Sequence, residues 1–205
     1  KVLDWTVNRD DRRNGMYLLE SYDGVEWKEI HNTPVLHCYE KSDTCRLGEI
    51  GFDTHPCLIK DNGEYIFFGR LNSSFDERRI YARRSKDLIN WTPPEKINII
   101  NENKNNLKKN YYHFVVFKKN NLFYAFTPYF EACGTEKKIY KNGCTMMLIS
   151  KDATNWEIKK TFLHHVGKYK DRVNSVFKND KDITLFLRQN VLENSQKLIS
   201  YNLNI

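Results

Sequence analysis

The chain has 205 residues, 40% of them hydrophobic and 14% aromatic, which is enough for one domain with a sizeable core. A net charge of +7 favours anionic partners in a general way, but the basic residues are scattered and no nucleic-acid-binding motif is present, so a solvated basic surface is the expectation. No apolar run approaches the ~18–20 residues of a membrane span, and no signal peptide is visible.

Taken in order, the chain begins with a strand-like segment, Lys1 to Val7. A second strand then leads into Ser21-Tyr22-Asp23-Gly24-Val25-Glu26-Trp27. This box, S-x-D-x-x-x-W, returns at Ser85 to Trp91 and at Ser150 to Trp156. Ser and Asp side chains satisfy backbone N–H groups in a turn, and the Trp opens the next apolar stretch and covers it. The box is therefore read as a folding staple, and as a ruler for a repeat.

The ruler divides the chain into units. His55 to Lys60 is a strand, Asp61-Asn62-Gly63 a hairpin turn, and Glu64 to Arg70 a second strand. Arg78 to Arg84 is a third, which runs into the box, and Trp91 to Ile97 supplies a fourth. Alternation puts Arg79, Tyr81 and Arg83 on one face, as expected for an exposed outer strand guarded by basic residues. Phe114 to Lys118, Lys119-Asn120-Asn121 and Leu122 to Thr127 repeat the first hairpin, and Thr145 to Ile149 repeats the third strand. Seven extra residues fall in the segment between Cys133 and Cys144, which reads as an inserted loop. Val173 to Arg188 matches His55 to Arg70 without a gap. Ser200-Tyr201-Asn202-Leu203 echoes Ser85-Lys86-Asp87-Leu88.

The expected architecture is all-β: a single β-propeller domain of four-stranded antiparallel blades. A partial blade spans 1–34, full blades 53–100 and 111–163, and a partial blade 171–205. A ring of five such blades needs roughly 300 residues. The expectation is thus a five-bladed propeller with part of the ring outside this sequence, completed by a further chain or segment.

Among five cysteines, Cys57 lies in an apolar strand and reads as a buried thiol. Cys38 with Cys45, and Cys133 with Cys144, each bracket a loop that a disulfide would close in an oxidising compartment. No spacing resembles a zinc site.

The string from Asp53 to Trp91, with its His-Pro start, Asp-Asn-Gly turn, aromatic strand and S-x-D-L-x-x-W box, resembles a blade of the five-bladed propellers of arabinanase-, xylosidase- and invertase-type glycoside hydrolases. The box is also similar to a shortened sialidase Asp box. The resemblance implies a site where the innermost strands begin, with carboxylates flanking a glycosidic bond. Asp53 approximates the second-blade Asp, and Asp171 begins the last unit at the same register, so these two are the catalytic candidates. The third-blade position holds Tyr111-Tyr112-His113 and has no Glu.

The repeat offsets place Asp53, Tyr111 and Asp171 at one level, Thr54, Tyr112 and Arg172 at the next, and His55, His113 and Val173 at a third. Aromatic faces stack on sugar rings, and His and Arg bond hydroxyls or a carboxylate. His55, Tyr112, His113 and Arg172 are therefore candidate substrate-binding residues, joined by Arg70 and Arg188 at the ends of equivalent second strands. No metal site or cofactor is expected, since His55 and His113 lack a third ligand. The leading expectation is a glycosidase-like propeller that binds or processes a carbohydrate, or another small polar ligand, at the channel mouth. The alternative is a non-catalytic structural or adhesion module of a cell-surface or virion assembly. Either reading places the protein outside the cell or on a cell or virion surface.

Overall fold

The computed structural model describes residues 2–6, 15–37, 56–74, 77–102, 108–133, 139–165, 171–178, 183–189 and 197–203. Among these residues there are strands and turns but no helix.

The first unit comprises β1 (Val2–Thr6), β2 (Gly15–Glu20), β3 (Lys28–Glu29) and β4 (Leu36–His37). β1 pairs with one edge of β2, while β3 and β4 share the other edge. The second unit is the meander β5 (Cys57–Asp61), β6 (Glu64–Ser74), β7 (Glu77–Ser85) and β8 (Glu95–Lys96), continued by β9 (Asn98–Ile99). The third unit has β10 (Lys108–Tyr111) and β11 (Val115–Lys119) along one edge of β12 (Leu122–Cys133). β13 (Ile139–Ser150) and β14 (Asn155–His165) follow. The fourth unit is β15 (Asp171–Lys178), β16 (Ile183–Gln189) and β17 (Lys197–Leu203).

Local chemistry explains the turns. In the second unit Asn62 and Gly63 both have positive φ (47° and 80°), and in the third Asn120 and Asn121 do the same (50° and 61°). This is the pattern of the two-residue turns whose twist matches that of the strands they join. The three boxes fold alike. In each, the Ser hydroxyl donates to the Asp carboxylate (2.9–3.0 Å) and accepts the N–H of the residue after the Asp (2.8–2.9 Å). The Asp oxygen accepts the next two N–H groups, and the Trp indole donates to the carbonyl one turn back (3.0–3.2 Å). The residue after the Asp is left-handed in all three: Gly24, Leu88 and Ala153.

The units pack face on face. The second and third enclose the main core, which includes Ile66, Phe68, Ile80 and Ala82 from one side and Phe114, Leu148, Ala153 and Trp156 from the other. Met16 and Leu36 of the first unit meet Phe67, with Tyr81 and Trp91 alongside. Ile183 and Leu185 of the fourth meet Phe117 and Phe126. Two short parallel bridges also join the second and third units. Asn110 of β10 pairs with Arg78 of β7, and β9 pairs with Asn155 and Trp156 of β14.

Four expectations need correction. β7 is not an exposed outer strand, because units cover both its faces: Ile80 and Ala82 are buried, and so is Arg83. The segment between Cys133 and Cys144 is not a plain inserted loop, since β12 and β13 stay paired out to Cys133 and Ile139 and so extend the hairpin. Cys144 is a free, buried thiol opposite Tyr129, while Cys133 lies opposite Ile139, four strand positions further on. At ~3.3 Å per residue that separation is beyond the reach of a disulfide. Finally, Ser200 pairs with Phe186, whereas Ser85 and Ser150 pair with Tyr65 and Phe123. The residue that occupies the Ser85 position in the fourth unit is Leu203, opposite Ile183. Cys57, expected as a buried thiol, is a free thiol whose residue is half-buried, and desolvation pushes it up to about 11. Cys38 and Cys45 lie outside the described residues.

Candidate functional site

β5, β11 and β15 begin the repeated hairpins of the second, third and fourth units, and the residues just before or at the start of these strands form the candidate site. In the third unit β10 carries Tyr111 opposite Tyr129, and Tyr112 donates its N–H to the Pro128 carbonyl at 3.0 Å. β11 then begins at Val115. In the fourth unit Asp171 lies opposite Gln189 and Arg172 opposite Arg188. Tyr111 with Tyr129 and Asp171 with Gln189 are related by one common offset, so Tyr111 and Asp171 stand at one level of the repeat. Asp53 and His55 lie outside the described residues.

Three of the candidates come together. Arg70 of β6 crosses to the third unit, where its guanidinium carbon stands 4.3 Å from the centre of the Tyr112 ring and its Nη1 3.5 Å from the Tyr112 carbonyl. A guanidinium over an aromatic face is held by the ring quadrupole, and the attraction grows when water is excluded. Arg70 is buried and Tyr112 partly exposed. His113 is buried edge-on to Tyr112, with ring centres 6.0 Å apart, and Phe130 flanks the Tyr112 ring at 6.5 Å. Arg172 and Arg188 are cross-strand partners in the backbone register of the β15–β16 pair. Among the described residues no group of three His, Cys, Asp or Glu side chains forms a metal site.

Tyr111 turns to a cluster that the sequence did not reveal. Its hydroxyl donates to Glu102 (2.7 Å), which also accepts from Arg79 (2.6 Å) and faces the buried Lys109 (3.4 Å). Burial and the Glu102 carboxylate push the Tyr111 phenol far above its ordinary range, so it stays a hydrogen-bond donor. Burial and Glu131 do the same for Tyr129, whose hydroxyl donates to Glu131 at 2.9 Å. The two tyrosine rings lie 5.1 Å apart. Arg79, Lys96, Glu102 and Tyr111 border a cavity of about 140 Å³. Glu131 is buried beside Cys144, whose thiol is raised to about 11 by burial and by that carboxylate. Glu102 stands three residues after β9, at the start of an Asn-rich stretch, with no motif around it. Only the pairing of β10 with β7 brings it to Tyr111.

No family model matches the sequence, and no curated protein matches it. Solved structures do. An N-acetylgalactosamine deacetylase from F. plautii, in complex with blood group B trisaccharide, is 17% identical with a TM-score of 0.53, covering 87% of this chain and 55% of that one. The Bombyx mori GH32 β-fructofuranosidase is 14% identical with a TM-score of 0.59, over 98% of this chain and 42% of that one. The Penicillium chrysogenum α-L-arabinanase, complexed with arabinobiose, is 13% identical with a TM-score of 0.55, over 96% and 55%. The chain thus spans about half the length of the structures it matches. The fructofuranosidase and the arabinanase are β-propellers. What the likeness shows is the fold: sheets of the kind that make up the propellers of glycoside hydrolases.

Proposed function

We propose that this chain binds a carbohydrate where the first strands of its units begin, as part of a glycoside-hydrolase-like β-propeller. The observation that carries this reading is the Arg70–Tyr112–His113 group. In it a partly exposed aromatic ring is backed by a buried guanidinium, at the level of the repeat that Arg172 occupies, one position from the level of Asp171. A rigid aromatic face beside hydrogen-bonding groups suits a sugar ring. Tyr112, His113 and Arg70 are assigned to binding, together with His55, Arg172 and Arg188, and Asp53 and Asp171 are the carboxylates assigned to any hydrolytic step. Retaining and inverting hydrolysis both require two carboxylates across the bond. Because Tyr111 replaces the third-blade Glu and donates to Glu102, the residues favour recognition over turnover. The ligand class also fits an extracellular or surface location.

The test is calorimetric binding across a panel of neutral and acidic oligosaccharides, with Tyr112→Ala and Asp171→Ala alongside the parent chain. The expected result is binding of at least one glycan, weakened tenfold or more by Tyr112→Ala. Absence of binding to every glycan, or equal affinity in both variants, overturns the proposal.

A further inference from the structure

The charges held between the second and third units do not balance. Glu102 Oε1 accepts from Arg79 at 2.6 Å and from the Tyr111 hydroxyl at 2.7 Å, while Oε2 faces the Lys109 ammonium at 3.4 Å. A charge-assisted N–H···O bond is about 2.7–2.9 Å long, so Lys109 stands near the carboxylate without the close contact that Arg79 makes. Lys109 is nevertheless only 6% exposed. Taking an ammonium out of water is unfavourable unless an anion faces it closely. The other buried carboxylate of this face, Glu131, lies opposite Lys109 in the β10–β12 register and accepts the Tyr129 hydroxyl at 2.9 Å.

A cavity of about 140 Å³ lies beside this cluster, with Ile80 and Ile97 among its apolar walls and Arg79, Lys96, Glu102 and Tyr111 among its polar ones. The Ile97 N–H donates to the Ile80 carbonyl at 3.1 Å, and this run along β7 brings Lys96 of β8 to the same cavity as Arg79. The Arg79 side chain is mostly buried and Lys96 is exposed, so one cation stands deep and the other at the rim. Arg79, Lys96 and Lys109 together outnumber Glu102 and Glu131. Positive charge against partly desolvated walls attracts an anion more strongly than the same charge in open water. Every group involved belongs to the second or third unit or, in Glu102, to the segment that joins them.

We propose that this cavity binds a small oxyanion, a phosphate, sulfate or carboxylate group, between Arg79 and Lys96. The anion supplies the negative charge that the cluster lacks. With a second acceptor at Arg79, the Glu102 carboxylate no longer serves two cations and is left to Lys109 and the Tyr111 hydroxyl. The planar guanidinium suits this sharing, because its donors point in several fixed directions and can hold two oxyanions at once.

Amide chemical shifts of the full chain, followed by nuclear magnetic resonance during titration with inorganic phosphate and separately with acetate, test the proposal. Sodium chloride at matched ionic strength is the control. The expected result is a saturable shift at Ile97 to Ile99, Glu102 and Lys109 to Tyr111 with at least one of the two anions, absent with chloride. Saturation with phosphate alone assigns a tetrahedral group, and saturation with acetate alone a carboxylate. Lys96→Gln, at an exposed position, is expected to weaken binding by about threefold or more. Lys109→Met removes the surplus cation and leaves Arg79 paired with Glu102, so binding should fall by about tenfold or more while the melting temperature without phosphate or acetate is no lower than the parent's. Shifts that do not saturate with either anion, or that match those in chloride, overturn the proposal. Unchanged affinity in both variants, or a lower melting temperature for Lys109→Met, does so too.

Discussion

Arg84 of the second unit ends on the backbone carbonyl of Asp152 in the box of the third, with Nη2 2.8 Å from the oxygen. Its other terminal nitrogen holds Glu64 at 2.9 Å, so one guanidinium ties a strand of its own sheet to the neighbouring unit's turn. The planar fork serves both partners at once, which a lysine ammonium on a flexible stem cannot reproduce. Arg84→Met is expected to lower the unfolding free energy by about 1–2 kcal/mol, read from denaturant unfolding, with Arg84→Lys recovering less than half. Equal stability of Arg84→Lys and the parent would show that the fork is not needed.

The hairpin turns predict a gain. Asn121 occupies the position that Gly63 holds in the second unit, with φ of 61° against 80°. Asn121 is exposed and its turn is otherwise the same. Glycine adopts this conformation without a Cβ penalty, so Asn121→Gly should stabilise by roughly 0.5–1 kcal/mol. Gly63→Ala should lose about 1 kcal/mol through the backbone alone, since nothing lies within 4 Å of the added carbon. Thermal melts of the two variants, shifting in opposite directions, are the check.

The tryptophans of the boxes should differ in their effect on stability. Trp156 is fully buried in the largest core cluster, and Trp156→Ala is expected to cost about 3–5 kcal/mol. Trp27→Ala should cost under about 1 kcal/mol, as for an exposed position. Chemical denaturation of both variants in dilute solution distinguishes them, and similar losses would mean that Trp27 is covered there.

The box carboxylates set the acid limit. Burial pushes the Asp152 carboxyl up, but the Asn155 amide, the N–H groups of Asn155 and Thr154 and the Ser150 hydroxyl outweigh it and hold the group at about 2. Backbone N–H donors lower Asp23 and Asp87 in the same way. A carboxylate with a depressed folded-state pKa contributes stability above its unfolded value, and that contribution fades as the pH falls through the folded one. Stability should hold down to about pH 4 and decline between there and pH 2. In Asp152→Asn that decline should be shallower, as read from melting temperature against pH.

The sequence made the strands legible because the box is a local device: its hydrogen bonds all fall within seven residues, so its letters carry its geometry. The same trust in letters failed at Ser200. There Ser-Tyr-Asn-Leu copies the start of the box, but the β16–β17 register places it mid-strand opposite Phe186. Contacts between units were not legible. Arg70 and Tyr112 are 42 positions apart, and nothing in the local pattern of either names the other. Arg70 was singled out by its equivalence to Arg188, an argument about position in a repeat, which could not supply its partner. Glu102 had no repeat to mark it, and only the β7–β10 bridge explains its place.

That bridge bears on how the molecule comes apart. With β10 joined to β7 and β9 to β14, the second and third units share one continuous hydrogen-bonded network. Neither can open its sheet without breaking bonds of the other. Amide protons of β6, β7, β12 and β13 should therefore exchange with solvent in a single cooperative event. Those of β2 and β16, which belong to separate sheets, should be released earlier through partial openings that leave the central pair intact.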